Sequence, residues 1–297
     1  MRNDKLCGLG TALVTPFTET GAVDYAALAL LVERQIAGGA DYLVVLGTTG
    51  EAVTLTERER RRVADFVIRQ NADRLPLVLG LGGNCTGAVE AQLDLQRDWL
   101  AENFAAILSV CPYYNKPSQE GLYRHFSAIA EASPVPVILY NVPGRTGVNM
   151  LPETAFRIYA DYPDKVAGVK EASGDMKQIG RLIDLSKAET DGDLLVISGD
   201  DGLAAEVMRR GGDGLISVAS NAYPKAFRQI VHDKDIDEQE RYADFIGLLF
   251  KEGNPAGIKT ALSQMGLIMN VLRLPLTENS AGVQVAMREC INGLSAE

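Results

Sequence analysis

The chemistry legible in this chain begins with a lysine. Residues 166–174 read VAGVKEASG, a run of small and apolar residues that ends in Lys170 and is followed by a polar turn. A strand ending this way carries Lys170 on a rigid element to the rim of its sheet. An amine among apolar groups loses solvation of its charged form, which frees the neutral nucleophile near neutral pH. Schiff-base chemistry with a carbonyl needs that form. A lysine whose stem packs under a wet ammonium has the same local sequence, so the neighbours decide. Tyr140 closes another apolar run, VPVILY at 135–140. It lies one strand earlier and, in a barrel, beside the amine. A phenol there can donate and recover a proton if nearby hydroxyls pass it on; the other reading is a packed ring with a wet tip. The run GTTGE at 47–51 sets Thr48 and Thr49 in a small-residue turn. It suits a carboxylate or a developing oxyanion, or is a plain exposed turn. It lacks the Gly-Lys-Ser/Thr ending of a phosphate loop. Arg145, in PGRTG at 143–147, has the fork to grip a carboxylate through two bonds, unless it is simply solvated.

Other residues of chemical type read more plainly. Gly80 and Gly82 lack the third glycine of a dinucleotide fingerprint. Asp200 and Asp201 form an acidic pair without a visible third metal ligand and read as a helix N-cap. His125 reads as a helix-surface residue. Tyr113 and Tyr114 lie between Pro112 and Pro117. That stiff aromatic loop suits stacking on another subunit as well as catalysis.

Eight short apolar runs must position these groups. They fall at 8–14, 41–46, 75–79, 104–110, 135–140, 166–170, 194–198 and 214–218. The runs are continuous rather than alternating, as strands buried on both faces require. Amphipathic patterns lie between them: residues 25–37 put Leu28, Leu31, Val32 and Ile36 on one stripe. Thr56 and Glu59 have capping-box spacing ahead of a charged helix to residue 71. Residues 122–132, 176–187 and 203–210 follow the same logic. The glycine pairs 38–39 and 211–212 sit where helix C-caps belong. Strand then helix, repeated eight times, predicts a (β/α)8 TIM barrel over residues 1–230. The rival is a doubly wound open sheet; regular spacing without a linker favours the barrel. Residues 231–297 show helical patterns at 236–251, 255–265 and 279–294 and predict a C-terminal helical extension, a candidate for subunit contacts. Barrel enzymes carry their chemistry at the C-terminal ends of the strands, where Thr48, Thr49, Tyr140, Arg145 and Lys170 all fall.

Composition narrows the classes further. The 297 residues suffice for a sizeable core without disulfides or metal. A formal net charge of −10 disfavours a nucleic-acid partner. The four cysteines lack pair or zinc-cluster spacing, and two histidines make a poor stock of metal ligands. The expectation is a cytoplasmic protein with reduced cysteines, without signal peptide or membrane span.

Taken together, the strand-end motifs resemble the dihydrodipicolinate synthase family of class I pyruvate-dependent aldolases. The matching stretches are ALVTPF at 12–17, GTTGE at 47–51, PYYNKP at 112–117, YNVPGRTG at 140–147, VKEASG at 169–174 and Asn254 with Pro255. They stand in the right order, on the right strands, and cover essentially the whole chain. The resemblance implies a lyase of the diaminopimelate route to lysine that condenses pyruvate with L-aspartate 4-semialdehyde. By that likeness Lys170 forms an imine with pyruvate and no other cofactor is needed. Tyr140, Thr48 and Tyr114 match the proton-relay trio, with Tyr114 reaching in from a neighbouring subunit. Thr49 holds the pyruvate carboxylate and Arg145 the semialdehyde carboxylate, while the Ile216 carbonyl faces the lysine. The family is typically a homotetramer built as a dimer of dimers. N-acetylneuraminate lyases and keto-sugar-acid aldolases share the lysine and tyrosine; Arg145 and the Thr48–Thr49 pair favour the synthase. A non-catalytic keto-acid binder is a second class of reading. Asn84 and Tyr113 match the family's lysine-inhibition site, whereas Ala52, Glu57, Arg60 and Ala88 depart from well-inhibited forms. Weak or altered inhibition is expected, and half-inhibition by sub-millimolar lysine would contradict it.

Overall fold

The computed structural model describes residues 2–295. Met1 and residues 296–297, the ends of the two expected units, lie outside the described residues. The strands are β1 (Gly8–Ala12), β2 (Tyr42–Val45), β3 (Leu77–Gly80), β4 (Ala106–Val110), β5 (Val137–Asn141), β6 (Val166–Glu171), β7 (Leu195–Ser198) and β8 (Gly214–Ser217). Each pairs in parallel with the next, and β8 pairs with β1, closing the barrel. Every strand is buried along nearly its whole length, which is why alternation is missing from the sequence. Inside the barrel Tyr42, Val44, Ile138, Tyr140, Leu195, Ile197 and Ile216 form one apolar cluster. Tyr42 fills the interior only because Gly10 opposes it in the paired strand; a side chain there would collide with the ring.

Helices cover the outside. They are α1 (Tyr25–Gly38), α2 (Glu57–Asn71), α3 (Thr86–Leu95), α4 (Arg97–Asn103), α5 (Gln119–Ala132), α6 (Pro143–Thr146), α7 (Pro152–Asp161), α8 (Met176–Thr190), α9 (Ala204–Arg210) and α10 (Pro224–His232). The capping box of α2 forms as read: Thr56 Oγ1 accepts from Glu59 N–H and the Glu59 carboxylate from Thr56 N–H. Gly39 and Gly211 end α1 and α9 in the left-handed region, at φ 82° and 103°. Then come α11 (Ile236–Arg241), α12 (Ala243–Phe250), α13 (Ala256–Gln264) and α14 (Ala281–Ser295). The division expected after residue 230 falls inside α10. The extension shares one core with the barrel wall: Phe245, Leu249, Ile258 and Met287 pack with Leu9, Leu31, Leu215 and Phe227.

His125 departs from the sequence expectation. It is buried on α5, not on the helix surface, with Nδ1 hydrogen-bonded to Thr86 Oγ1 at 2.8 Å where α3 begins. The stripe of α5 is wide enough to include it, and the partner lies 39 positions away. Burial pushes the imidazole down to about 4 from its usual 6.5. Because the folded state favours the neutral ring, His125 supports stability above pH 6.5. That support is lost as pH falls towards 4. Unfolding at pH 7 and pH 4 should show wild type losing ~2–3 kcal/mol more than His125→Gln. Equal losses in both proteins would refute the assignment.

Candidate active site

The register of β5 against β6 sets the site. Tyr140 stands opposite Lys170, and Asn141 opposite Glu171. Pleating turns the first pair into the barrel and the second outward. Outside, Asn141 Nδ2 donates to both Glu171 oxygens (3.1 and 3.0 Å), joined by Ser173 N–H (2.8 Å) and Gln178 Nε2 (3.0 Å). Burial raises Glu171 above the usual carboxylate range although these donors pull the other way. The four bonds pin the strand ends in the register that puts Tyr140 beside Lys170. Inside, Lys170 is only 6% exposed, and its Nζ lies 4.3 Å from the Tyr140 ring centroid. Gly199 at the end of β7 makes room for it: a Cβ there would come within 3.0 Å of Lys170 Cε and 2.6 Å of Ala172 Cβ.

The GTTGE run forms a tight 3-10 turn over Thr48–Gly50. Non-glycine residues in the left-handed region flank it, Leu46 at φ 60° and Glu51 at φ 52°. Such conformations cost ~1–3 kcal/mol each and persist only where surroundings impose them. Thr15 Oγ1 donates to the Gly50 carbonyl at 2.7 Å from one side. Asn254, between α12 and α13, donates to the buried Thr49 Oγ1 at 3.0 Å from the other. Arg145, on α6, donates through Nη2 to the Asn254 carbonyl at 3.0 Å. One residue of the extension therefore touches both groups expected to hold carboxylates. The sequence marked Asn254 only as part of a matching motif.

Lys170, Tyr140, Thr48, Thr49, Arg145 and Asn254 line one cavity of about 210 Å³. Two expected residues stand apart from its lining. Tyr114 is 88% exposed on the loop after β4, held at φ 72°. Ile216 is buried in the barrel interior against Gly10, and Val218 lines the cavity instead. Asp200 caps the turn after β7, accepting from Gly202 N–H at 2.8 Å, as read. Asp201 is instead fully buried and accepts from Ser217 Oγ and from the N–H groups of Val218 and Ala219 (3.1 and 3.3 Å), anchoring the end of β8. Burial raises it to about 6. A second, larger groove of about 500 Å³ takes in Ala52, Glu57, Arg60 and Tyr113 beside Trp99. Asn84 reaches the Tyr113 carbonyl at 3.1 Å.

A closed parallel barrel with a buried lysine near the C-terminal end of β6, a tyrosine beside it on β5 and hydroxyls in the turn after β2 has the architecture of a class I aldolase-type lyase. Residues 5–293 match the Dihydrodipicolinate synthetase family, and the chain belongs to that family. A 4-hydroxy-tetrahydrodipicolinate synthase of Parabacteroides distasonis is 46% identical over 99% of each chain. One of Flavobacterium psychrophilum is 48% identical over 91% of this chain and 92% of its own. Among solved structures, the dihydrodipicolinate synthase of Thermotoga maritima superposes with a TM-score of 0.92 at 38% identity, covering 98% of this chain and 99% of that one. That of Acinetobacter baumannii, solved with pyruvate, gives 0.91 at 40% identity with the same coverage.

Proposed function

We propose that this chain condenses pyruvate with L-aspartate 4-semialdehyde, the activity of 4-hydroxy-tetrahydrodipicolinate synthase, through an imine on Lys170. The observation that carries the reading is the convergence of Lys170, Tyr140, Thr48, Thr49 and Arg145 on one small cavity. Lys170 Nζ attacks the keto carbon of pyruvate, and water leaves as the imine forms. The imine draws electrons, so the pyruvate methyl loses a proton and becomes an enamine. The enamine carbon attacks the aldehyde, and the semialdehyde amine then displaces Lys170 by transimination, closing the ring. Every step moves a proton, which is the work assigned to Tyr140 and Thr48. The imine itself is the electron sink, so no separate cofactor enters this scheme. Thr49 holds the pyruvate carboxylate, and the Ile216 carbonyl orients the amine.

The exposed Tyr114 supports a homo-oligomer, a tetramer of two dimers, in which it completes the relay of a neighbouring subunit. Four unpaired cysteines accord with a reducing, cytoplasmic setting. Among the described residues no helix is long and apolar enough to cross a membrane.

Borohydride trapping with pyruvate, mapped by peptide mass, tests the imine. An assay with aspartate semialdehyde beside it tests the substrate. An adduct on Lys170 with turnover supports the proposal. An adduct without turnover moves the second substrate to a sugar acid or another aldehyde, and no adduct defeats the imine. Arg145 gives a separate test. Removing a charge-assisted grip on a carboxylate costs ~1.5–3 kcal/mol, so Arg145→Ala should raise the semialdehyde KM roughly 10- to 100-fold. Pyruvate trapping should persist in that variant.

A further inference from the structure

The chain buries an ion pair that the chemistry above does not use. Glu51, last residue of the GTTGE run, meets Lys259 of α13, and both side chains are 0% exposed. Lys259 Nζ also donates to the Val271 carbonyl at 2.9 Å and lies 3.9 Å from the Phe17 ring centroid. The opposite face of the assembly is closed by Arg273. Its backbone N–H donates to Glu51 Oε2 at 3.3 Å, and its guanidinium donates to the Thr54 and Gly21 carbonyls and to Glu59. Four segments distant in sequence therefore meet directly behind the Thr48–Thr49 turn.

Stability alone is a poor reason for this arrangement. Desolvating two charges costs several kcal/mol per ion, and apolar replacement of a buried pair is often neutral or stabilising. Burial pulls Lys259 down to about 8, against the attraction of Glu51. What the pair does specify is geometry. Glu51 sits at φ 52°, a strained conformation for a side-chain-bearing residue, and its N–H closes the turn on the Thr48 carbonyl at 3.1 Å. Fixing the Glu51 carboxylate from α13 fixes that φ, and with it the orientation of the two threonines.

We infer that Glu51 and Lys259 are positioning residues for pyruvate: their buried contact holds the Thr48–Thr49 turn in its strained, carboxylate-binding form. The inference rests on the reading of Lys170 as the pyruvate-binding amine. The helical extension is thereby part of the active-site scaffold, acting on Thr49 through Lys259 and Glu51 as well as through Asn254.

The test is the double variant Glu51→Gln/Lys259→Met, which removes both charges at once and leaves none unpaired, with Glu51→Gln alone as the near-isosteric second variant. Each is compared with wild type by thermal melting, pyruvate KM, semialdehyde KM and the rate of borohydride-trapped pyruvate labelling. Misplacing a binding group by about an ångström costs up to roughly 100-fold, so pyruvate KM should rise about 10-fold or more and trapping should slow in step. Melting should move little in the double variant and fall in Glu51→Gln, which leaves the Lys259 ammonium without its counter-ion; semialdehyde KM should move little in both. Labelled wild type together with variants of unchanged pyruvate KM overturns the inference and leaves the imine reading standing. Loss of fold in both variants assigns the pair to stability and overturns it too. Wild type that takes no label removes the imine reading and this inference with it.

Discussion

Lys170→Ala should fold, fail to trap pyruvate and lose turnover by on the order of 10⁴-fold or more, because covalent catalysis has no substitute for its nucleophile. The lysine is buried on β6 with its Nζ over the Tyr140 ring, in a cavity that already exists beside it. Truncation enlarges that cavity without collapsing a packed core. It also removes an amine whose burial is itself unfavourable. Melting should therefore change far less than activity. Lys170→Arg sharpens the result. A guanidinium stays protonated and cannot attack a carbonyl, so this variant keeps charge and bulk and should be as inactive as the alanine. Intact mass after borohydride reduction reads the outcome directly. Wild-type labelling in either variant would show that another amine carries the imine. Among the described residues Lys259 is the other buried lysine, but its ammonium is engaged by Glu51 and the Val271 carbonyl.

How much of this was visible in the chain depends on the separation of the interacting residues. The eight strands were legible because burial on both faces leaves each as a continuous apolar run, and the observed strands lie almost wholly within those runs. The ends shift by one or two residues where proline intervenes, as at Pro76 and Pro136, just ahead of β3 and β5. Helices α7 and α10 open on Pro152 and Pro224 at the first turn, a position where proline starts a helix rather than breaking one, and their patterns were not singled out. Lys170 and Tyr140 were legible because each closes an apolar run, one residue short of the end of its strand. His125 was misread because its burial depends on Thr86 across two helices. Asp201 was taken with Asp200 as a cap because its donors come from the end of β8. Lys259 sits in AGIKTAL and, locally, reads as a lysine on an apolar helix face. Its partner Glu51 is brought against it only when the extension folds back on the barrel.

Tyr140→Phe should keep the fold and the adduct while turnover falls roughly 10²- to 10⁴-fold, the range for losing a positioned proton-transfer group. The ring packs in the barrel interior and faces the Lys170 amine; phenylalanine retains both contacts and loses only the hydroxyl. Imine formation needs proton transfer but can borrow it slowly from water, so trapping should reach completion at a reduced rate. Carbon–carbon bond formation and ring closure each need timed protonation, so the loss should concentrate in kcat rather than in pyruvate KM. Thr48→Val should show the same pattern more weakly, since Thr48 lines the cavity from an exposed position open to water. The double variant decides whether the two hydroxyls act as one chain. Groups that act as a unit are strongly non-additive, so Tyr140→Phe/Thr48→Val should be scarcely worse than Tyr140→Phe alone. A double loss equal to the product of the single losses would mean that two independent donors serve the imine. Wild-type kcat in Tyr140→Phe would remove the phenol from the mechanism altogether.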